Sequence, residues 1–416
     1  MLTENSTIAG LNPTVQAPDI SQEKRHLGAA GARLGRSAGA IGVIAILASL
    51  ALAATSQDGW HRFFFSYLLS FSYVLTLALG ALFFVILQHL TRAGWSVVVR
   101  RWAEGIAAAL PLLAVLAVPI VVFGLPHLYH WAQPGTVVAD PLLLAKQPYL
   151  NVPFFVARLV VYFGLWSVLA RYFFSRSLRQ DATEDAQLTV QMERRSALAM
   201  LGFALTLTFA AFDLLMSLDA HWFSTIFGVY IFAGSVVSFF ALLTVVVFAT
   251  QRAGLLRHAI TVEHYHDLGK LIFAFTVFWA YIAFSQYMLI WYASLPEETV
   301  WLLRRQTNGW GWVGLVLLFG HFVVPFVALL SRSPKRRPRL VAIAAVWMLA
   351  MHWVDLYWVV IPEVSPQRAL PHLLDLTTLL GLGGIAVAAV LYVMRECSLI
   401  PEQDPRLAES LRFENA

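Results

Sequence analysis

The 416-residue chain is 59% hydrophobic and only 13% charged, with a mean hydropathy of +0.69, which excludes a water-soluble globular domain, where about a quarter of residues are charged. A single cysteine, Cys397, excludes a disulfide framework and any iron-sulfur or zinc site made only of this chain's thiolates. The net charge of +5 does not point to nucleic acid, because the basic residues fall in short runs between apolar stretches, as membrane topology demands.

The first 36 residues are polar and carry Lys24, Arg25, Arg33 and Arg36 without the apolar core and cleavage site of a signal peptide, so residues 1–36 are expected to be a cytoplasmic tail. Beyond them, ten stretches are long and apolar enough to cross the roughly 30 Å hydrocarbon core as helices. They run near 37–55, 63–89, 104–124, 152–174, 196–218, 224–250, 267–293, 309–330, 340–361 and 373–394. The expected fold is an all-α integral membrane protein of ten transmembrane helices, followed by a cytoplasmic tail over 395–416. Lysine and arginine test the topology independently, because cytoplasmic loops accumulate them. The tails and one set of alternate loops hold 22, counting Arg171 at the end of the fourth span with its loop, against 5 in the opposite loops, with Arg158 and Lys270 inside helices. Both termini are therefore expected in the cytoplasm.

The chain also carries a duplication. HRFFF at His61 and TRAG at Thr91 bracket the second span, and HWFST at His221 and QRAG at Gln251 bracket the sixth, both offset by 160 residues. FG at Phe163 and SRS at Ser175 recur as FG at Phe319 and SRS at Ser331, offset by 156. Arg195 precedes Asp213 by 18 residues, as Arg337 precedes Asp355. The collinear order of these matches implies two four-helix units. An even number of spans leaves both copies in the same orientation, so they form a parallel repeat. The expected organisation is a first peripheral helix and loop (37–62), two four-helix bundles (63–218 and 219–361) and a last peripheral helix (362–394).

Charge in the middle of a bilayer costs about 2.5 to 3.5 kcal/mol on insertion scales, so ionisable groups there face a partner or a water-filled cavity. On the cytoplasmic side lie His89, Glu104, Glu263, His264, His266, Asp267 and Lys270, with Glu263, Asp267 and Lys270 on one helix face. His321 falls mid-span, and Arg158, Asp213, His352, Asp355 and Asp375 fall in the outer half, with His352 and Asp355 on one helix face at spacing three. These groups have two readings. They are structural salt bridges and helix caps, the reading that suits Arg158, Asp375 and the Glu263 triad as well as any other; or they form a proton relay, since histidine titrates near neutrality. The relay would run from Glu263, His264 and Asp267 through His321 to His352 and Asp355, with Asp213 sharing the load and Tyr281, Ser285 or water bridging the gap below His321. Asp213 is the repeat partner of Asp355, but Ala210 stands where His352 does in the second half. Haem is not expected: it needs axial side chains facing each other from two helices, and only His321 and His352 are deep, at unequal depths by hydropathy. The aromatic segments from Trp291 to Trp301 and from Asp219 to Tyr230 read as interface belts.

Three stretches carry a family resemblance: LQHLTRAGWSVVVRR from Leu87, FDLLMSLDAHWFSTIFGVYIFAGS from Phe212 and EHYHDLGKLIFAFTVFWAYIAFSQYMLIWYASLPEETVW from Glu263. They resemble the ActF subunits of bacterial alternative complex III, within the NrfD-like, polysulfide-reductase membrane-subunit superfamily, and the similarity runs from about Phe63 to Glu363. The resemblance implies a subunit of the bacterial inner membrane in a quinol:electron-acceptor oxidoreductase of the cytochrome c type. It implies a paralogous NrfD-like partner that oxidises the quinol, and multihaem cytochrome and iron-sulfur subunits that carry the electrons. It implies no cofactor bound by this chain, membrane lipids as its surroundings and no nucleic-acid partner. A structural scaffold without proton conduction is the alternative function. A stand-alone secondary transporter is a third; it needs broken helices at equivalent repeat positions, and Pro111, Pro119 and Pro325 do not supply them.

Overall fold

The computed structural model describes residues 20–133 and 135–415; the first part of the expected N-terminal tail and Ala416 lie outside them. Ten helices are long and apolar enough to span a membrane: α1 Gly28–Thr55, α2 Gly59–Leu90, α3 Val97–Leu128, α4 Val152–Thr183, α5 Gln187–Leu218, α6 Phe227–Arg252, α7 Val262–Ala293, α8 Trp310–Leu330, α9 Pro338–Glu363 and α10 Leu373–Val393. All ten expected spans are present. Several begin or end beyond the hydrophobic stretch. α3 starts at Val97 rather than near 104, and α7 at Val262 rather than near 267, because polar residues in those turns are paired within the protein. The expected boundary between residues 62 and 63 falls inside the first turns of α2.

Their burial sorts the helices. The most apolar windows of α2 and α6 are 89% and 72% buried, against 22% for α1 and α10, as a helix that is apolar on all sides belongs in a core. α2 and α6 pack against each other at the centre; α5 and α9 each contact both of them. This reciprocal contact is compatible with the expected parallel repeat of α2–α5 and α6–α9.

α1 and α10 pair along their length at the flank of α2. Small residues let their backbones meet, as in membrane helix pairs generally. A Cβ on Gly384 would stand 2.6 Å from the Ala38 carbonyl oxygen, and one on Gly42 2.8 Å from the Ile385 nitrogen, so neither position tolerates a side chain without parting the helices. Ser49 adds a 2.8 Å hydrogen bond to Thr377. α10 is fixed to α2 by Asp375, whose carboxylate accepts from Arg62 at 2.5 Å, from Ser66 at 2.6 Å and from the His372 backbone N–H at 2.8 Å. The structural reading of Asp375 is the one its contacts support: an ion pair and a helix cap.

The two ends of the described chain lie on one face of the helix array, here called the basic face. The C-terminal segment is no free tail. Leu399, Ile400, Leu407 and Ser410 are buried, the Leu399 N–H donates to the Arg25 carbonyl at 2.8 Å, and the Ser410 hydroxyl donates to the Trp95 carbonyl at 2.7 Å. The opposite face carries the short helices Pro141–Lys146 and Pro296–Arg304.

Candidate functional site

The residues assigned to the proton relay fall into three sites. The first surrounds Asp355 on α9, which is 2% exposed. Tyr230 of α6 donates its hydroxyl to Oδ1, and Trp279 of α7 donates its indole N–H to Oδ2 at 3.1 Å. No arginine or lysine reaches this carboxylate among the described residues. His352, one turn away on α9, contacts the Thr76 hydroxyl of α2 through Nε2 at 2.8 Å and lies beside the Tyr73 ring, centroids 5.6 Å apart. Gly234 of α6 makes room for the pair: a Cβ there would lie 3.3 Å from His352 Nδ1 and 3.6 Å from the Asp355 carboxylate.

His321 joins the same site. Its ring lies against Trp279, centroids 3.8 Å apart, so one indole touches both the carboxylate and the second imidazole. His321 and His352 stand eleven residues from the opposite-face ends of α8 and α9, about 16 Å in either case, which corrects the unequal depths read from hydropathy. His321 lies in a π-helical stretch, Leu317–Val323, a distortion that often marks functional sites. The widened turn frees the Gly320 carbonyl, which accepts from the Trp347 indole at 2.7 Å. Both ring nitrogens of His321 and Nδ1 of His352 are buried and make no hydrogen bond to any described residue.

The second site is that of Asp213 on α5, fully buried. Arg158 of α4 grips it with two parallel bonds of 2.8 Å, and the Tyr162 hydroxyl donates at 2.8 Å. The guanidinium also donates to the Tyr149 carbonyl at 2.9 Å and stacks on the Tyr149 and Phe154 rings. Its charge is compensated in full. The 156-residue offset places the counterpart of Arg158 at Gly314, so the second half has no arginine to do the same for Asp355. The structure does not bring Asp213 together with His352 or Asp355.

The third site, at the start of α7, holds the groups assigned to proton uptake. Glu263 pairs with Arg336 through two bonds and accepts from Asn415 at 3.2 Å. Asp267 pairs with Lys270. His264 completes a capping box, its Nδ1 accepting from the Thr261 N–H at 3.0 Å. Each contact stabilises a helix start, so these groups already have structural partners. Tyr281, proposed as a bridge from here to His321, is 65% exposed on the outer surface of the array, and the structure removes it from that role.

Sequence reasoning missed Tyr230 and Trp279. Both sit in segments whose aromatic residues read as interface belts, and a belt does form: Trp291 is 65% and Tyr292 84% exposed. Tyr230 and Trp301, in contrast, are 3% exposed, and Trp301 stacks on Trp222 at 4.1 Å. The spacing that signals Tyr230 is its place four residues before Gly234, on the α6 face that meets α9. Also missed was the network that binds the C-terminal segment. Arg100 donates to Glu104 at 3.0 Å and to Asp404 at 2.5 Å, and Arg101 to Asp181 at 2.6 Å. Burial by itself would raise the Asp404 carboxyl, but Arg100 beside it holds it below the usual carboxylate range.

Among known proteins, no family model matches the chain and no curated protein matches it significantly. The chemistry of the site thus stands on its own geometry. A carboxylate with an indole and a phenol as its donors and no cation among the described residues shares its surroundings with two imidazoles, His352 across Gly234 and His321 across Trp279. Such a group can accept and release a proton without breaking an ion pair, which the Asp213 site cannot.

Proposed function

We propose that this chain is a proton-handling subunit, without a redox centre of its own, of a quinol:electron-acceptor oxidoreductase of the alternative complex III kind in a bacterial inner membrane. The observation that carries the proposal is the buried Asp355 carboxylate with no cation. A buried charge without compensation is expensive, and a fold that keeps one holds a group able to exchange its proton. Asp213, alike in sequence context, holds a fixed charge instead.

The residues divide the work as follows. The Thr76 hydroxyl has one proton, and its 2.9 Å contact with the Tyr73 carbonyl uses it; His352 then donates from Nε2 and keeps the Nδ1 lone pair toward Gly234 and Asp355. A proton on His321 or His352 passes to Asp355, Tyr230 and Trp279 stabilising the carboxylate before it is protonated. The excess of basic residues on the face that carries both ends of the described chain supports an orientation with that face in the cytoplasm. The quinol site and the electron carriers belong to the partner subunits that the resemblance implies.

The test is the protons moved per electron by the assembled complex in proteoliposomes. Asp355→Asn and His352→Leu are expected to assemble, to oxidise quinol and to move fewer protons. Parental stoichiometry in both variants overturns the proposal. It would leave the scaffold reading, which the fully paired Glu263, Asp267 and Asp213 already favour for the other two sites. The transporter reading gains nothing from the π-helical stretches, because those of α3 (Ile120–Gly124) and α8 are not repeat counterparts.

A further inference from the structure

A cavity of about 510 Å³ lies between the α1–α10 pair and the central helices on the basic half of the array. Its walls are apolar: Leu34, Val74, Ile106, Leu242, Ala386 and Val390 are representative. The two hydroxyls that line it are committed elsewhere, Tyr73 donating to the Leu349 carbonyl at 3.2 Å and Thr250 to the Val246 carbonyl at 2.7 Å. Trp102 also lines it, and its indole N–H, buried without a partner among the described residues, is the one uncommitted polar group of a wall that is otherwise apolar and matches a hydrocarbon chain.

The polar chemistry is at the mouth. The turn after α6 passes the opening at Ala253 and Leu255, which line it, and the Arg257 guanidinium lies against Gly254 between them. The Lys24 carbonyl accepts from the Leu256 N–H at 3.3 Å, so residue 24 borders the same turn, and Arg252 stands at its start. Lys24, Arg252 and Arg257 are exposed, and none has an ion-pair partner among the described residues. The nearest carboxylates are engaged: Glu23 accepts from the His258 and Ala259 N–H groups at 2.5 and 2.7 Å, and Glu402 pairs with Arg25. Lys24, Arg252 and Arg257, none of them in an ion pair among the described residues, therefore outnumber the one neighbouring unpaired carboxylate, Glu23, on the segments that border a hydrocarbon slot, the arrangement by which basic clefts between helices select anionic lipids.

We infer that this cavity is a site for one anionic glycerophospholipid, its acyl chain between α1–α10 and the core and its phosphate against Lys24, Arg252 and Arg257. The chain end rests on Tyr73, whose ring is also packed on His352, so the lipid buttresses one wall of the Asp355 site. The assignment does not depend on the proton-handling reading.

The full chain, extracted in mild detergent and stripped of lipid, is titrated with dioleoylphosphatidylglycerol and, separately, with dioleoylphosphatidylcholine, and bound copies are counted by native mass spectrometry. One phosphatidylglycerol is expected to remain under conditions that remove phosphatidylcholine. The surface variant Lys24→Gln/Arg252→Gln/Arg257→Gln is expected to weaken its retention at least about tenfold, and Ala386→Phe, which fills the slot, to abolish it with the cations intact. Equal retention of the two lipids, or unchanged retention in the surface variant, overturns the site. So does displacement of phosphatidylglycerol by a short-chain quinone, which would assign the cavity to a redox ligand. Should Ala386→Phe fail to fold, the surface variant decides alone.

Discussion

Asp213 and Asp355 stand 18 residues after matching arginine pairs on helices α5 and α9, yet their surroundings are opposite. Asp213 is closed by a two-bond ion pair with Arg158 and by the Tyr162 hydroxyl; Asp355 has a phenol and an indole as donors and two imidazoles nearby, but no cation among the described residues. One sequence pattern has produced an ion-paired carboxylate in one half and, among the described residues, a carboxylate without a cation in the other. The difference lies in the helix packed beside each aspartate, α4 with Arg158 against α8 with Gly314, and not in the aspartate. A buried acid is therefore read from what neutralises it.

The contrast can be broken from either side. The largest effect is expected from Arg158→Leu, which strands the Asp213 charge: stability should fall by about 3 to 5 kcal/mol, seen as lost expression or a much lower melting temperature in detergent. Tyr230→Phe removes one donor to Asp355 and should cost less, about 1.5 to 3 kcal/mol, in the same assay. Acid should act elsewhere. Because Arg100 holds the Asp404 carboxyl below the range of its unfolded value near 3.9, this contact is at full strength at neutral pH and is lost as pH falls through the lowered value. Protease cleavage within residues 399–412 should stay slow from pH 7 to about 4 and accelerate below it, whereas Asp404→Asn should be cleaved quickly at neutral pH. Asp355→Asn is expected to change stability least, by about 1 kcal/mol or less: the amide oxygen still accepts from Trp279, and the amide N–H groups can donate to the Tyr230 oxygen.

Hydropathy and the basic-residue asymmetry made all ten spans legible, because the cost of burying backbone and charge in lipid is written along the chain. The ends were less so, since Arg100 and Arg101, just before the third expected span, look like loop residues until Asp404 and Asp181, far away in sequence, are seen to pair with them. In the site, His352 and Asp355 were legible as one helix face at spacing three. That His321 belongs with them was not, because it depends on the π-helical turn and on Trp279 reaching across from α7, and neither leaves a periodic signal. Nor did the sequence separate buried Tyr230 from exposed Tyr292, since an aromatic residue near a helix end suits both a belt and a pocket.

The central claim is that Asp355 gains and loses a proton during turnover while Asp213 does not. Redox-triggered infrared difference spectra of the assembled complex report this directly, because only a protonated carboxyl group shows its C=O stretch apart from the carboxylate and amide bands. The account predicts a carboxyl band that disappears in Asp355→Asn and persists in Asp213→Asn. A band that survives in Asp355→Asn, or no carboxyl band in the parent complex, would contradict it.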